Sequence, residues 1–433
     1  MINFFKKIIE WKLKLLASWI LKRYQPKVIG LTGSVGKTST KEAIFKVLSH
    51  NFKTGKNIKN YNNEIGLPLS IIGMESAKKN PFVWIWIFIK GLLMVIFKKS
   101  DYPEMLVLEM GADKPGDIKY LVDFVKCHVG VVTAIGAAHL ELFDSVEKVA
   151  REKQNIVSHL KVEDFAILNK DDELVMNMAD KTRAKVITFG FAEDADVRAL
   201  DVVISAGPSS DPWIDVQIKG LSFKLQYKGS IVPVFLPKVL GDHQVYSALA
   251  AVAVGISQGM NLSEIVEALR EFDPPAGRMR LIAGIKHTSI IDDSYNSSPM
   301  ATQAALNVLK NINIPGKKFV ALGDMLELGP YTEQGHREVG LAVVNVANIL
   351  VTSGERAKII AQAALEAGMD EGSVFSFSDP LSAGKFIQQR IKSGDIILIK
   401  GSQGARMEKV VRELMAEPQR AEELLVRQTK DWK

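Results

Sequence analysis

Lys27 to Leu31 reads Lys-Val-Ile-Gly-Leu, a short apolar run that breaks into Thr32-Gly33-Ser34-Val35-Gly36-Lys37-Thr38-Ser39. A helical pattern follows from Thr40 to His50, with Ala43, Ile44, Val47 and Leu48 as its apolar positions. Strand, glycine turn, helix is the setting a phosphate-binding loop needs. The glycines let the backbone N–H groups of Gly33, Ser34, Val35, Gly36, Lys37, Thr38 and Ser39 point at phosphate oxygens, and the helix adds its positive end. Lys37 would reach the β- and γ-phosphates, and the Thr38 hydroxyl would bind Mg²⁺. The strict spacing of such loops is not met. Leu31 stands where the first glycine belongs, and Gly30 and Gly33 flank that place.

A loop of this kind is built on a parallel sheet, so the fold class expected is α/β. At 433 residues the chain has room for two or three domains. From Val28 to about Phe272 apolar strands alternate with helical stretches, which predicts a doubly wound α/β domain over residues 27–277. Two insertions stand out within it, an apolar one over 76–103 and a small β insertion over 195–236 marked by Gly207-Pro208 and Gly220. From Arg278, strands near Ser289–Asp292, Lys318–Leu322, Ile349–Thr352 and Ile396–Ile399 alternate with helices. They predict a second, Rossmann-like α/β domain over 278–433. Pro274-Pro275-Ala276-Gly277 reads as the stiff link between the two. One cysteine, Cys127, excludes a disulfide framework and a thiolate zinc cage, and suits a reducing cytoplasm. The net charge of +6 is mild, and with no RNA- or DNA-binding motif we expect no nucleic-acid partner. A monomer is expected.

Residues 1–26 form a basic amphipathic segment. On a wheel of 100° per residue, Phe4, Ile8, Trp11, Leu15 and Trp19 cluster, Phe5, Ile9, Leu16 and Ile20 widen the stripe, and Lys6, Lys7 and Lys14 stand opposite. Basic residues interrupt the apolar run too often for a secretory signal. Two readings stay open: a helix lying on an anionic membrane, or a helix docked on the domain behind it. Pro81 to Phe97, PFVWIWIFIKGLLMVIF, is too short and too interrupted at Lys90-Gly91 to span a bilayer. Its tryptophans and flanking Lys78, Lys79, Lys98 and Lys99 suit an interfacial anchor at the inner membrane face. A core element or a partner surface is the alternative.

Glu109 ends the apolar strand Met105–Leu108 beside Gly111, where either a metal ligand or a turn-capping acid would sit. His139 similarly follows the apolar run Val129–Ile135. Ser145 to Leu160 reads as a helix with Val146, Val149, Ala150, Ile156, Val157 and Leu160 on one face. Lys153 falls in the middle of that face, with Lys148, Arg151, Glu152 and Asn155 outside it. A buried ammonium there is costly unless paired or chemically altered, the alternative being a lysine snorkelling from the helix edge.

Gly30-Leu31-Thr32-Gly33-Ser34-Val35-Gly36-Lys37-Thr38 resembles the phosphate loop of the Mur ligase family, and further blocks extend the likeness in order. They include Asn60-Tyr61-Asn62-Asn63-Glu64-Ile65-Gly66, Leu108-Glu109-Met110-Gly111, Ile135 to Glu141, Gly241-Asp242-His243-Gln244, Gly277-Arg278, Asp292 to Asn296, Leu322 to Gly329 and Lys400-Gly401-Ser402. The likeness runs from about residue 27 to about 410 and is nearest the branch that adds D-alanyl-D-alanine to a cell-wall precursor. The resemblance implies a C–N bond-forming ligase that uses ATP and Mg²⁺ to join D-alanyl-D-alanine to a UDP-N-acetylmuramoyl tripeptide. It implies a metal set of Thr38, Glu109, His139 and a carbamylated Lys153. Lys37, Lys153, His139 and Arg278 become the catalytic candidates, with Arg278 meeting the γ-phosphate when the domains close. His243, Asn296 and Arg278 become nucleotide contacts, and Asn62, Asn63, Asp324, Lys400 and Ser402 substrate contacts. Gln244 and Ser247 stand where the family often has asparagine, and Gln403 where arginine is common with Arg406 nearby. The branch normally carries a uridine-gripping domain before the loop, yet only 26 residues precede Lys27 here. Either uridine is held differently, or the carboxylate substrate is another one. The competing readings are a folate-type polyglutamating ligase and a non-catalytic scaffold.

Overall fold

The computed structural model describes residues 2–58, 61–78, 80–97, 101–136, 140–207 and 217–428. It divides into two compact units. One contains residues 1–202, 223–235 and 242–272, and the other 203–222, 236–241 and 273–433.

The first unit runs α1 (Ile2–Tyr24), β1 (Lys27–Thr32), α2 (Lys37–Asn51), β2 (Thr54–Lys56), α3 (Gly66–Ile72), α4 (Pro81–Ile96), β3 (Met105–Glu109), α5 (Asp117–Phe124), β4 (Val129–Val132) and α6 (Leu140–Phe143). The chain continues through α7 (Val146–Ser158), β5 (Phe165–Asn169), α8 (Glu173–Met176), β6 (Lys185–Gly190), β7 (Val197–Gly207), β8 (Gln217–Tyr227), β9 (Ser230–Pro237), α9 (Asp242–Ser257) and α10 (Leu262–Arg270), with residues 203–222 and 236–241 of this stretch counted in the second unit. The sheet order is β2-β3-β1-β4-β5-β6-β7-β8-β9, parallel from β2 to β7. The central strands are continuous apolar runs, as strands covered on both faces must be. All five residues of β3 and all four of β4 are buried. Because β1 lies between β3 and β4, the chain leaves it in both directions. The crevice at the carboxyl ends of these strands is where doubly wound sheets bind ligands. The 195–236 stretch, read from the sequence as a small β insertion, is built of β7, β8 and β9. Its strands prolong the edge of the same sheet, where β7 pairs with β6 in parallel through Phe189 and Val197.

Lys90-Gly91 does not interrupt the apolar segment. Residues 81–96 form one helix, capped by Asn80, whose side chain accepts from the Phe82 and Val83 amides. Pro81 sits in its first turn, where a missing N–H costs nothing. Gly91 lets α1 approach, since a Cβ there would lie 3.2 Å from Leu16 Cδ1. Both helices are docked on the unit: Leu13, Leu16, Ala17 and Ile20 of α1 and Ile87 and Met94 of α4 join its core.

The second unit contains β10 (Arg280–Gly284), β11 (Thr288–Asp293), α11 (Pro299–Lys310), β12 (Lys318–Gly323), α12 (Thr332–Val343), β13 (Ile349–Ser353), α13 (Ala357–Glu366), β14 (Val374–Phe377), α14 (Pro380–Arg390), β15 (Ile396–Lys400), α15 (Glu408–Leu414) and α16 (Ala421–Leu424). Its sheet runs β10-β11-β15-β12-β13-β14, with only β10 antiparallel. Two apolar clusters, around Val320 and Leu398 and around Phe319 and Ile397, lie on the two faces. Alternate residues of one strand feed opposite layers.

Candidate active site

In the first unit the loop leaves β1 at Thr32, whose hydroxyl donates to the Met110 carbonyl at 2.8 Å. Gly33 has no room for a side chain, since a Cβ would fall 1.9 Å from Thr133 Oγ1. That same hydroxyl donates to the Val35 carbonyl at 2.6 Å, which fixes the crest of the loop. The Ser34 amide donates to the Ala134 carbonyl at 2.7 Å, tying the loop to the strand β4 side. Gly36 enters α2 at φ 81°, a left-handed conformation suited to glycine. The helix starts at Lys37, earlier than the apolar pattern from Thr40 indicates, so its N-terminus opens at the loop. The Lys37 ammonium folds over the turn, donating to the Gly33 carbonyl at 2.7 Å and the Ser34 carbonyl at 3.2 Å.

Parallel pairing sets Glu109 beside Leu31, at the mouth of the loop. Its carboxylate accepts from the Thr38 hydroxyl at 3.2 Å and from Asn62 Nδ2 at 3.1 Å, and the Lys41 ammonium lies 3.6 Å away. The Asn57 side chain holds the Glu109 backbone from both sides, accepting from its amide and donating to its carbonyl. Glu109 and Lys41 are both buried, and these contacts hold the carboxylate at the mouth of the loop.

Lys153 is buried on α7, which runs Val146–Ser158 with Ser145 as its cap. Burial pushes its ammonium down to about 7, the positive charge of Lys37 adds to the push, and Glu152, Asp113 and Glu109 oppose it. Glu152, placed outside the apolar face by the wheel, is in fact buried. Its carboxylate accepts from the Gly116 amide at 2.8 Å and the Ile118 amide at 2.7 Å, capping α5. Lys153, Lys37, Gly33, Asn62, Asn63 and Asp113 line one cleft with about 610 Å³ of empty space, open solvent included.

The remaining sequence candidates are distributed as follows. His139 lies outside the described residues. Asn63 faces the cleft, and its side-chain oxygen also accepts from the Gly66 amide at 2.9 Å to open α3. His243 is exposed in the first turn of α9. One turn on, Ser247 accepts from Thr40 of α2 at 3.2 Å. In the second unit Arg278 is half-buried, its guanidinium 4.0 Å from the centroid of the Tyr295 ring, next to Gly277 at φ 69°. A Cβ on Gly277 would lie 2.8 Å from the Tyr295 amide nitrogen. Asn296 is exposed, while its carbonyl accepts from Lys400 at 2.9 Å. Lys400 is buried, and its ammonium is paired with Asp293 at 2.5 Å. Ser402 is buried too, accepting from the Leu326 amide at 2.9 Å and donating to the Ser297 carbonyl at 3.2 Å. The Asp324 carboxylate caps α13 through the Ala357 amide at 2.8 Å. These last three side chains are therefore engaged in holding the loops at the carboxyl ends of the second sheet.

Lys41 and Asn57 escaped the sequence reading. Lys41, Ile44 and Leu48 share one helix face, so the reasoning that singled out Lys153, a lysine on an apolar stripe, would have found Lys41 as well. Among the described residues, no group of three or more His, Cys, Asp or Glu side chains could hold a metal ion. The hard oxygen donors at the loop are the Glu109 carboxylate and the Thr38 hydroxyl.

Comparison with known proteins bears on this arrangement. Residues 31–84 and 90–255 match the Mur ligase middle domain, and residues 277–403 match the Mur ligase glutamate ligase domain. A relative from Bacillus subtilis (strain 168), UDP-N-acetylmuramoyl-tripeptide--D-alanyl-D-alanine ligase, is 31% identical over 408 residues, covering 94% of this chain and 79% of that protein. Crystal structure II of MurF from Acinetobacter baumannii superposes with a TM-score of 0.75 at 27% identity, over 92% of this chain and 79% of that one. The MurF ligase of Thermotoga maritima, solved in complex with ADP, gives 0.74 at 27% identity over 93% and 83%.

Proposed function

The chain belongs to the Mur ligase family, and from that premise we propose that it joins D-alanyl-D-alanine to the peptide carboxylate of a UDP-N-acetylmuramoyl tripeptide at the expense of ATP. The observation that carries the reading is the cradle in which Lys37, Thr38 and Glu109 converge on one glycine turn.

The triphosphate lies over Gly33–Ser39, with backbone amides and the start of α2 facing its oxygens. Lys37 leaves its carbonyl partners for the β- and γ-phosphates. Thr38 and Glu109 suit a hard cation that keeps other oxygens in its remaining positions, and they would hold Mg²⁺. His139 and a carbamylated Lys153 would hold a second ion. Bound there, Mg²⁺ supplies neutralisation of charge on the transferring phosphoryl group. A carboxylate oxygen of the tripeptide attacks the γ-phosphorus, ADP leaves, and the acyl phosphate forms. The amine of D-alanyl-D-alanine then attacks the carbonyl carbon, and phosphate departs carrying the original carboxylate oxygen. Lys37 and Arg278 stabilise the charge that builds on the phosphoryl oxygens. His243 and Asn296 serve the nucleotide, and Asn62 and Asn63 the peptide side, with Asp324 acting through the loop it holds at the start of α13. Lys400 and Ser402 support the loop that presents it.

Incubating the protein with ATP, the UDP-linked tripeptide and either D-alanyl-D-alanine or glutamate tests the reading by product mass. The expected product is the tripeptide nucleotide plus D-alanyl-D-alanine less one water. Addition of glutamate instead would transfer the chain to the polyglutamating class.

A further inference from the structure

Helix α4 is apolar on the outside as well as the inside. Ile87, Gly91 and Met94 face the core, yet Phe82, Ile85, Trp86, Ile89, Leu93 and Ile96 form a second stripe at helical spacing, exposed from 41% at Leu93 to 79% at Phe82. Lys90, the single charged residue of the helix, donates to the Gly73 carbonyl at 2.8 Å. A surface helix normally turns charge toward water, and a stripe this continuous marks a contact surface. Sixteen residues make about 24 Å of helix, and no helix of the described residues is long and apolar enough to cross a membrane.

What covers the stripe is indicated by its neighbour. Along α1, which packs beside α4, the face next to the buried one carries Trp11, Lys12, Trp19, Lys22 and Arg23, all exposed. At 100° per residue they fall within about 120° of arc. Lys12 Nζ lies 5.8 Å from the centroid of the α4 ring of Phe88, so the basic edge borders the apolar stripe. None of these three cations forms an ion pair among the described residues. Glu10, the only acid of α1, pairs with Lys6. We propose that α1 and α4 together dock the enzyme flat on an anionic phospholipid surface, the α4 stripe and the tryptophans entering the headgroup boundary and Lys12, Lys22 and Arg23 meeting lipid phosphates. A second copy of the chain fits the face poorly, because pairing it with itself would bring like charges together. An anionic bilayer supplies the missing sign, and tryptophan favours its interface.

The proposal is independent of the reaction. Full-length protein is floated with vesicles of phosphatidylcholine alone or of phosphatidylcholine with phosphatidylglycerol. The expected result is co-flotation with the anionic vesicles, weakened by salt. The triple variant Trp86→Ser/Ile89→Ser/Leu93→Ser abolishes it, and Lys12→Glu/Lys22→Glu/Arg23→Glu lowers partitioning roughly 10-fold or more. Thermal unfolding and turnover of soluble substrates stay unchanged in both. Protein that remains unbound with both vesicle types overturns the proposal. So does a concentration-dependent dimer in sedimentation that the α4 variant dissolves while flotation is absent.

Discussion

The Thr38 hydroxyl donates to Glu109 Oε2 at 3.2 Å, across 71 positions of sequence, because parallel pairing of β1 with β3 brings the end of one strand beside the loop of the other. Lys41 approaches the same carboxylate from beneath. Glu109 balances a buried cation and, in the proposed reaction, would also offer an oxygen to a metal. Substitution separates the two tasks. Glu109→Gln is expected to lower kcat/KM about 100-fold or more and to raise the Mg²⁺ concentration needed for half-activity. Glu109→Ala should also destabilise the fold by about 3 kcal/mol, since it removes a carboxylate partner of the buried Lys41 ammonium. The double variant Lys41→Met/Glu109→Gln should regain stability in denaturant titration without regaining activity.

Lys37 is held over the turn by two carbonyls. Lys37→Met keeps most of the stem and removes the charge. Calorimetric titration should show ATP affinity falling further than ADP affinity, because the γ-phosphate is the group the ammonium reaches last. Turnover should drop roughly 100-fold or more. Equal loss for the two nucleotides would place the ammonium elsewhere.

Gly33 is fixed by contact. Gly33→Ala would drive a methyl into Thr133 Oγ1, which already serves the Val35 carbonyl. Nucleotide binding in this variant should be lost while the core stays folded. Removing the clashing atom in Gly33→Ala/Thr133→Ala should restore part of it. Binding measured for both single variants and the double gives a coupling energy, and simple additivity would mean that the loop crest is not what the methyl disturbs.

Lys153 supplies a pH dependence. Its ammonium is pushed down to about 7 by burial, so the neutral amine dominates above that pH and is lost below it. Carbamylation consumes the neutral amine. With ¹³C-labelled bicarbonate, a carbamate resonance should therefore appear near and above pH 7, fade as pH falls below it, and be absent in Lys153→Met. A lysine whose ammonium is stabilised by a partner has its pKa shifted the other way, so its carbamate would appear only at much higher pH. A resonance that persists in Lys153→Met would assign the signal to another amine.

Much of this was readable before any coordinates. The apolar strands at Ser289–Asp292, Lys318–Leu322, Ile349–Thr352 and Ile396–Ile399 appear within one residue of those bounds, since a strand buried on both faces writes itself as an uninterrupted apolar run. The glycine turn at 33–36 and the buried Lys153 were legible for similarly local reasons. The strands β10 and β14 were not, being short runs whose partners are fixed by topology and not by pattern. The junction of β7 with β6 was hidden in the same way, because which strand an edge joins depends on the rest of the sheet. Glu152 shows the limit of a helical wheel. Its angle puts it off the apolar face, but the start of α5 stands there and draws the carboxylate in. Lys400, Ser402 and Asp324 show the limit of motif likeness, which marks a position without saying where the side chain points. Their hydrogen bonds run to Asp293, Ser297, Leu326 and Ala357.

The proposal that ATP's γ-phosphoryl group is transferred to a peptide carboxylate at the Lys37–Thr38–Glu109 cradle is tested most directly by oxygen tracing. The UDP-linked tripeptide is labelled with ¹⁸O in its terminal carboxylate and turned over with ATP and D-alanyl-D-alanine. Each phosphate released should carry one ¹⁸O from the carboxylate, and Glu109→Gln should lower the yield of labelled phosphate and of peptide product together. Unlabelled phosphate would contradict the account, because its oxygen would then have come from water and the nucleotide would be hydrolysed without activating the acid.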